Sequence, residues 1–125
     1  MTPIAILFEN QFLLVIDKPA GVIVNRAESV KTETVQDWAE DKLRIKNSEF
    51  RIENEDFYSR AGIVHRLDKE TSGCLVIAKD PHTFSKLQQA FKERSVKKTY
   101  LALVHGNLVP DEGEIKAPVG RLPWN

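Results

Sequence analysis

The sequence predicts an α+β fold, a mixed and largely antiparallel sheet carrying two helices. Two observations lead there. Short apolar runs bounded by polar turns read as strands, and two stretches between them repeat their apolar residues at helical spacing behind a capping signal. The order strand, strand, helix, loop, strand, helix, strand includes neighbours joined too briefly for a parallel crossover, which argues against a regular α/β fold. With 125 residues and 42% hydrophobic content, the chain is long enough for one core and too short for two.

Ile4 to Phe8 and Phe12 to Ile16 are apolar runs separated by Glu9-Asn10-Gln11, as expected of two strands and a tight turn. The second runs into Lys18-Pro19-Ala20-Gly21. Pro19 fixes its own backbone and extends Lys18, while Gly21 can take a positive φ, so a rigid turn should lead into Val22-Ile23-Val24. Thr34 followed by Asp37 is a weakened capping box. Val35, Trp38, Ala39 and Leu43 then share one face of a helix of about ten residues, with Trp38 read as core. Residues 45 to 58 show no clean period and are read as a long loop without a role. Cys74-Leu75-Val76-Ile77-Ala78 is unbroken and apolar, so it reads as a strand buried on both faces. Asp80-Pro81 starts a second helix, an acid at the cap and proline at the first helical position. Phe84, Leu87 and Phe91 form its apolar face, and it should end near Arg94-Ser95. Tyr100 to Val104 is expected as another buried strand, and Glu114 to Pro118 as a short edge strand. The final residues, with Trp124 lacking anything to pack on, read as a chain cut short.

Eighteen basic and eighteen acidic residues cancel, so net charge alone gives no support to a nucleic-acid partner. The distribution is uneven: residues 60–98 hold nine Lys/Arg against four Asp/Glu, whereas residues 1–59 hold seven against eleven. That positive excess either steers a phosphate backbone or, with Lys86, Lys92, Lys97 and Lys98, simply solvates a helix and a strand end. The lone Cys74 excludes a disulfide framework and reads as a buried, inert thiol in a reducing cytoplasm. The amino terminus lacks the basic and apolar regions of a signal peptide, and no stretch is long enough for a membrane helix.

The chain is organised around Ala61-Gly62-Ile63-Val64-His65-Arg66-Leu67-Asp68-Lys69-Glu70-Thr71-Ser72-Gly73. It places an imidazole, a guanidinium and an acid within four residues and ends on a small-residue turn directly before an apolar strand. Such a polar cluster, mounted on the end of a core element, has a backbone held by packing and side chains left accessible. Read from the residues alone, Asp68 and Arg66 form either a catalytic pair or a structural ion pair. His65 is taken as a structural donor that fixes the loop, and His82 as a surface residue.

This segment resembles the signature of the RluA-like pseudouridine synthases, His-Arg-Leu-Asp followed by Thr-Ser-Gly, here His65 to Asp68 and Thr71 to Gly73. Asp17-Lys18-Pro19-Ala20-Gly21 upstream and Lys98-Thr99-Tyr100-Leu101-Ala102 downstream match in the right order. The resemblance implies an isomerase that converts uridine to pseudouridine in structured ribosomal or transfer RNA. Asp68 would be the catalytic residue, acting on the ribose either as nucleophile or as base. Arg66 would replace a base turned out of its stack, Tyr100 would lie against the uracil, and Lys98 and Lys18 would contact substrate. A family motif carrying a later arginine does not occur within the sequence, so these residues alone are expected to be weakly active or inactive.

The expectation is therefore the N-terminal portion of one catalytic domain over residues 1–125, with no separate RNA-binding domain before it, cytoplasmic and monomeric. No cofactor is implied by a redox-neutral isomerisation. His65, Asp68 and His82 lack a metal-binding spacing, Ser72 lacks the glycine of a nucleophile elbow, and no Gly-rich phosphate loop occurs. The rival readings are a catalytically inactive RNA-binding fragment of the same fold and a truncated product with no activity.

Overall fold

The computed structural model describes residues 3–46, 49 and 51–123. Its elements are β1 (Ala5–Glu9), β2 (Leu13–Lys18), α1 (Val35–Leu43), α2 (Glu55–Ser59), β3 (Gly73–Ala78) and α3 (Pro81–Lys92). The strands form one antiparallel sheet in the order β1-β2-β3. The α+β expectation holds, with three helices rather than two among the described residues; none of these is long and apolar enough to cross a membrane.

The hairpin closes on Asn10, whose side-chain oxygen accepts the amides of Phe12 at 2.8 Å and Leu13 at 2.9 Å. Asparagine suits this position because its short carboxamide mimics a backbone acceptor. A register shift between Ile6 and Phe8 bends β1. β2 is the centre of the sheet, pairing Leu14 with Ile77 and Ile16 with Leu75 across to β3. All four of these side chains are fully buried. Val24, Val35, Ala39, Ala61, Ile63 and Leu67 close over them, with Trp38 packed at the edge. This face of the sheet is the fully buried one; the opposite face is covered only at the end of β3, where Ala78 packs with Phe57, Tyr58 and Phe84.

That corrects the reading of β3 as buried on both faces throughout: on its second face Cys74, opposite Asp17, is exposed and Val76 is half-buried, and only Ala78 is fully buried. An unbroken apolar run does not by itself show two covered faces.

α1 begins where expected. Thr34 accepts the Asp37 amide at 3.2 Å, and Asp37 accepts the Thr34 amide at 2.9 Å, so both halves of the capping box form. The Val35 and Gln36 amides donate to the carbonyls of Ile23 and Val24, both at 3.0 Å, tying the strand-like 22–24 segment to the start of the helix. α3 starts on Asp80, which accepts the Thr83 amide at 2.8 Å, and buries Phe84.

Residues 45–58 are not wholly loop: α2 lies at their end and buries Phe57 and Tyr58. Phe57 meets Tyr58 and Phe84 edge-on, with centroids 4.9 and 5.8 Å apart. A single-turn helix is too short to show a period, and tertiary packing rather than propensity sustains it. Phe50, within that stretch, lies outside the described residues, as does Trp124.

The expected strands at Tyr100–Val104 and Glu114–Pro118 do not form. Residues 97–123 are exposed and carry neither helix nor strand, and Leu101 and Leu103 are fully exposed. Of the sheet's two edges, the one on β3 is occupied by the loop that precedes the strand. The Ala78 amide donates to Gly62 at 2.9 Å, the Val76 amide donates to His65 at 2.9 Å, and Ile63 bridges Ile77.

Gly62 makes this close approach possible. Its φ is +74°, and a Cβ there would overlap the Ala78 carbonyl. Gly62→Ala is expected to lower stability by at least about 2 kcal/mol, because left-handed strain and overpacking each cost of order 1–2 kcal/mol. The urea unfolding midpoint reads this directly, with exposed Gly120→Ala staying within about 0.5 kcal/mol of the parent.

Candidate active site

The loop between α2 and β3 is shaped by two consecutive left-handed residues, Ala61 (φ 52°) and Gly62 (φ 74°). They turn the chain off α2 and lay it along β3. From there the side chains alternate. His65 is half-buried and Leu67 is 8% exposed in the core, while Arg66 and Asp68 between and after them are exposed. Two inward pegs therefore hold two outward charged groups, which is how a loop presents reactive side chains without losing its place.

The first peg is specific. His65 Nε2 accepts the Val76 amide at 2.9 Å, and its ring stacks on Phe91 with centroids 4.5 Å apart and planes 19° from parallel. The imidazole is an acceptor here, not the donor expected from sequence, and only the neutral ring can accept. Burial, aided by the charge of Lys98, holds its pKa at about 4 against an ordinary 6.5.

Beyond the second peg, the Asp68 carbonyl accepts the Thr71 amide at 3.0 Å, closing a turn. The Lys69 carbonyl accepts the Gly21 amide at 2.7 Å and Lys18 Nζ at 3.0 Å. Lys18 is fully buried, and its ammonium also donates to the carbonyls of Pro19 at 2.8 Å and Val22 at 2.7 Å. Burial lowers the ammonium's pKa, opposed by the charges of Glu70 and Asp68. An ammonium has three donors, and all three are engaged. Lys18 thus lies beneath the Asp68 turn and splints it to the Pro19–Val22 turn, with no donor left to offer a substrate.

Asp68, Arg66 and Lys69 form one wall of a cleft of about 260 Å³, and the Ile23–Ala27 segment with Val30 forms the other. The Asp68 carboxylate and the Arg66 guanidinium make no side-chain hydrogen bond or ion pair among the described residues. The structural ion pair between them does not form. A second concavity of about 520 Å³ adjoins the first and shares Asn25 and Arg66 with it.

Of the residues singled out from the sequence, Arg66 and Asp68 meet in the cleft and Lys18 supports it from below. Lys98 sits instead over the Phe91 ring, its Nζ 5.5 Å from the centroid. Tyr100 is 62% exposed in the segment after α3 and does not line the cleft. The strand face these two were to share is absent. Sequence reasoning missed the opposite wall. Arg26 there donates to Asp37 at 2.6 and 2.8 Å and to Glu40 at 2.8 and 3.2 Å, and these carboxylates hold its pKa above the ordinary value. Only the helical offset of Asp37 and Glu40 could have hinted at such a clamp. Among the described residues, no group of three or more His, Cys, Asp or Glu side chains is placed to hold a metal ion.

Residues 12–122 match the family model for RNA pseudouridylate synthase. The chain belongs to this family. The family resemblance drawn from the central motif is thereby borne out over residues 12–122. It is 41% identical to ribosomal large subunit pseudouridine synthase D of Nitrosomonas europaea, over 97% of this chain and 32% of that protein. It is 36% identical to an RNA pseudouridine synthase of Helicobacter pylori, over 98% of this chain and 36% of that protein. The chain thus spans about a third of the length of the relatives it matches. Among solved structures it resembles human RNA pseudouridylate synthase domain containing 4, with 27% identity and a TM-score of 0.47 over 73% of this chain and 30% of that one.

The state of His65 is measurable. Its ring should titrate near pH 4 by NMR, below the ordinary histidine value of 6.5. Because the unfolded chain then binds the proton more readily, stability should be full above about pH 6.5 and fall as the pH drops toward 4. His65→Gln should remove that part of the pH dependence in chemical unfolding.

Proposed function

We propose that this chain contributes part of a pseudouridine synthase catalytic domain that isomerises uridine in structured ribosomal or transfer RNA, with Asp68 as the catalytic residue. One observation carries the reading: the Asp68 carboxylate stands exposed on a cleft wall, beside Arg66, on a turn pinned from both sides. Relatives named for the large ribosomal subunit favour ribosomal RNA as the substrate.

In the reaction, the bond from ribose C1′ to uracil N1 breaks and a bond from C1′ to C5 forms. N1 gains a proton and C5 loses one, so neither a redox partner nor a second substrate is needed. The step demands a carboxylate beside the sugar, either to attack C1′ or to remove a sugar proton. It also demands that the uridine leave its stack, since a helical stem hides the glycosidic bond. Arg66, adjacent to Asp68 and without a protein partner for its guanidinium among the described residues, supplies a planar cation to fill the vacated place or to grip phosphate. Lys18 serves through the backbone, keeping the Asp68 turn from sagging away from the ribose. Lys98 and Tyr100 act on RNA from outside the cleft, and Tyr100 reaches the uracil only if the segment after α3 folds toward it.

RNA labelled with tritium at uridine C5 releases the label as C5 loses its proton. With the full-length polypeptide, Asp68→Ala and Asp68→Asn should reduce release to background while RNA affinity stays within about twofold of the parent, a difference of under about 0.5 kcal/mol. Release at the parental rate by either variant overturns the assignment.

A further inference from the structure

We infer that the concavity beyond Arg66 is a second binding site, for the phosphodiester backbone of the RNA strand as it continues from the reacting nucleotide. This rests on the functional reading of the adjoining cleft and extends it by one site and one residue, Arg60.

The two hollows share Asn25 and Arg66, so they form a single groove, with Asp68 at one end and Arg60 at the other. The wall of the second hollow contains no carboxylate. Its charged side chains are Arg60 and Arg66, both exposed, and neither guanidinium makes a hydrogen bond or ion pair with the described residues. Arg26, which lines the first hollow, shows the contrasting case: Asp37 and Glu40 already occupy it, so it is not available to an anion.

Arg60 is also well held. It caps the end of α2, its amide donates to Asp56 at 3.2 Å, and its carbonyl accepts the Ile63 amide at 3.0 Å. The neighbouring Ser59 carbonyl accepts Gln36 Nε2 at 2.6 Å, and Gln36 Oε1 accepts the Arg26 amide at 3.0 Å, so α1, α2 and the 25–26 segment are tied around the hollow. The floor is Ile63, Val64 and the uncharged ring of His65, which offer no counter-charge. Two forked guanidinium groups over a neutral floor suit phosphate, whose oxygens accept pairs of parallel N–H bonds.

Another hollow, about 780 Å³ between α2 and α3, shows what an RNA backbone would avoid. Glu53, Glu55, Asp56 and Asp80 line it. The second hollow of the groove thus carries charge that attracts a polyanion, and this hollow carries charge that repels it.

The test is binding of a fluorescently labelled structured RNA by the full-length polypeptide across a potassium chloride series. Arg60→Gln is expected to weaken affinity about tenfold at low salt and to reduce the slope of log affinity against log salt by about one. The single-turnover rate at saturating RNA should be unchanged. Lys86→Gln, the same loss of charge on the exposed face of α3, should cost less than about twofold. Equal losses for Arg60→Gln and Lys86→Gln, or a loss without a change of slope, overturn the site. If Arg60→Gln behaves as expected but Asp68→Ala still converts uridine, the backbone site stands and the catalytic assignment falls. If the unaltered polypeptide binds no RNA, the functional reading itself fails.

Discussion

The outer edge of β3 is where this molecule is decided. Two of its amides, at Val76 and Ala78, would normally await another strand, and both are taken by the loop that carries Arg66 and Asp68. An unpaired edge amide is a strong donor seeking an acceptor. Here a histidine nitrogen and a glycine carbonyl answer it, and the price is local: residue 62 must lack a side chain, and residue 65 must stay uncharged. With the loop fixed to the sheet at 62 and 65, alternation does the rest, sending Leu67 inward and Arg66 and Asp68 outward.

A second fastening acts from the opposite side. Lys18 ends the central strand with its ammonium buried, an arrangement that is costly unless every donor is used. Using all three donors on the carbonyls of Pro19, Val22 and Lys69 turns that cost into a splint between two turns far apart in sequence. The family motif around Lys18 and the motif around Asp68 are thus one physical object, the first supporting the backbone from which the second projects its carboxylate. This explains why a charged residue sits at the most buried end of a strand.

Where local chemistry suffices, the sequence was readable. The Asn10 turn, the Thr34–Asp37 box and the Asp80-Pro81 start each combine a residue type with a short spacing, and each forms as read. The central motif was legible because it packs three functional groups into four residues. What could not be read depends on partners remote in the chain. α2 exists because Phe57 finds Phe84, and Cys74 is exposed because the cover on its face of β3 reaches Ala78 and not the start of the strand. Tyr100–Val104 has the composition of a strand but joins no ladder, and the outer edge of β3 is held by the central loop. The walls opposite Asp68, with Arg26 clamped and Arg60 unclamped, follow from how α1 and α2 are tied, which no local pattern reports.

A single carboxylate held at the lip of a cleft is what the proposed chemistry requires, so its most direct test is spatial. A structure of the full-length polypeptide with a bound RNA substrate should show a uridine unstacked from its neighbours, with an Asp68 oxygen within about 3.5 Å of ribose C1′ or of a sugar hydrogen's carbon, as a reacting contact requires. A uridine seated elsewhere on the protein, with Asp68 facing solvent, would contradict it.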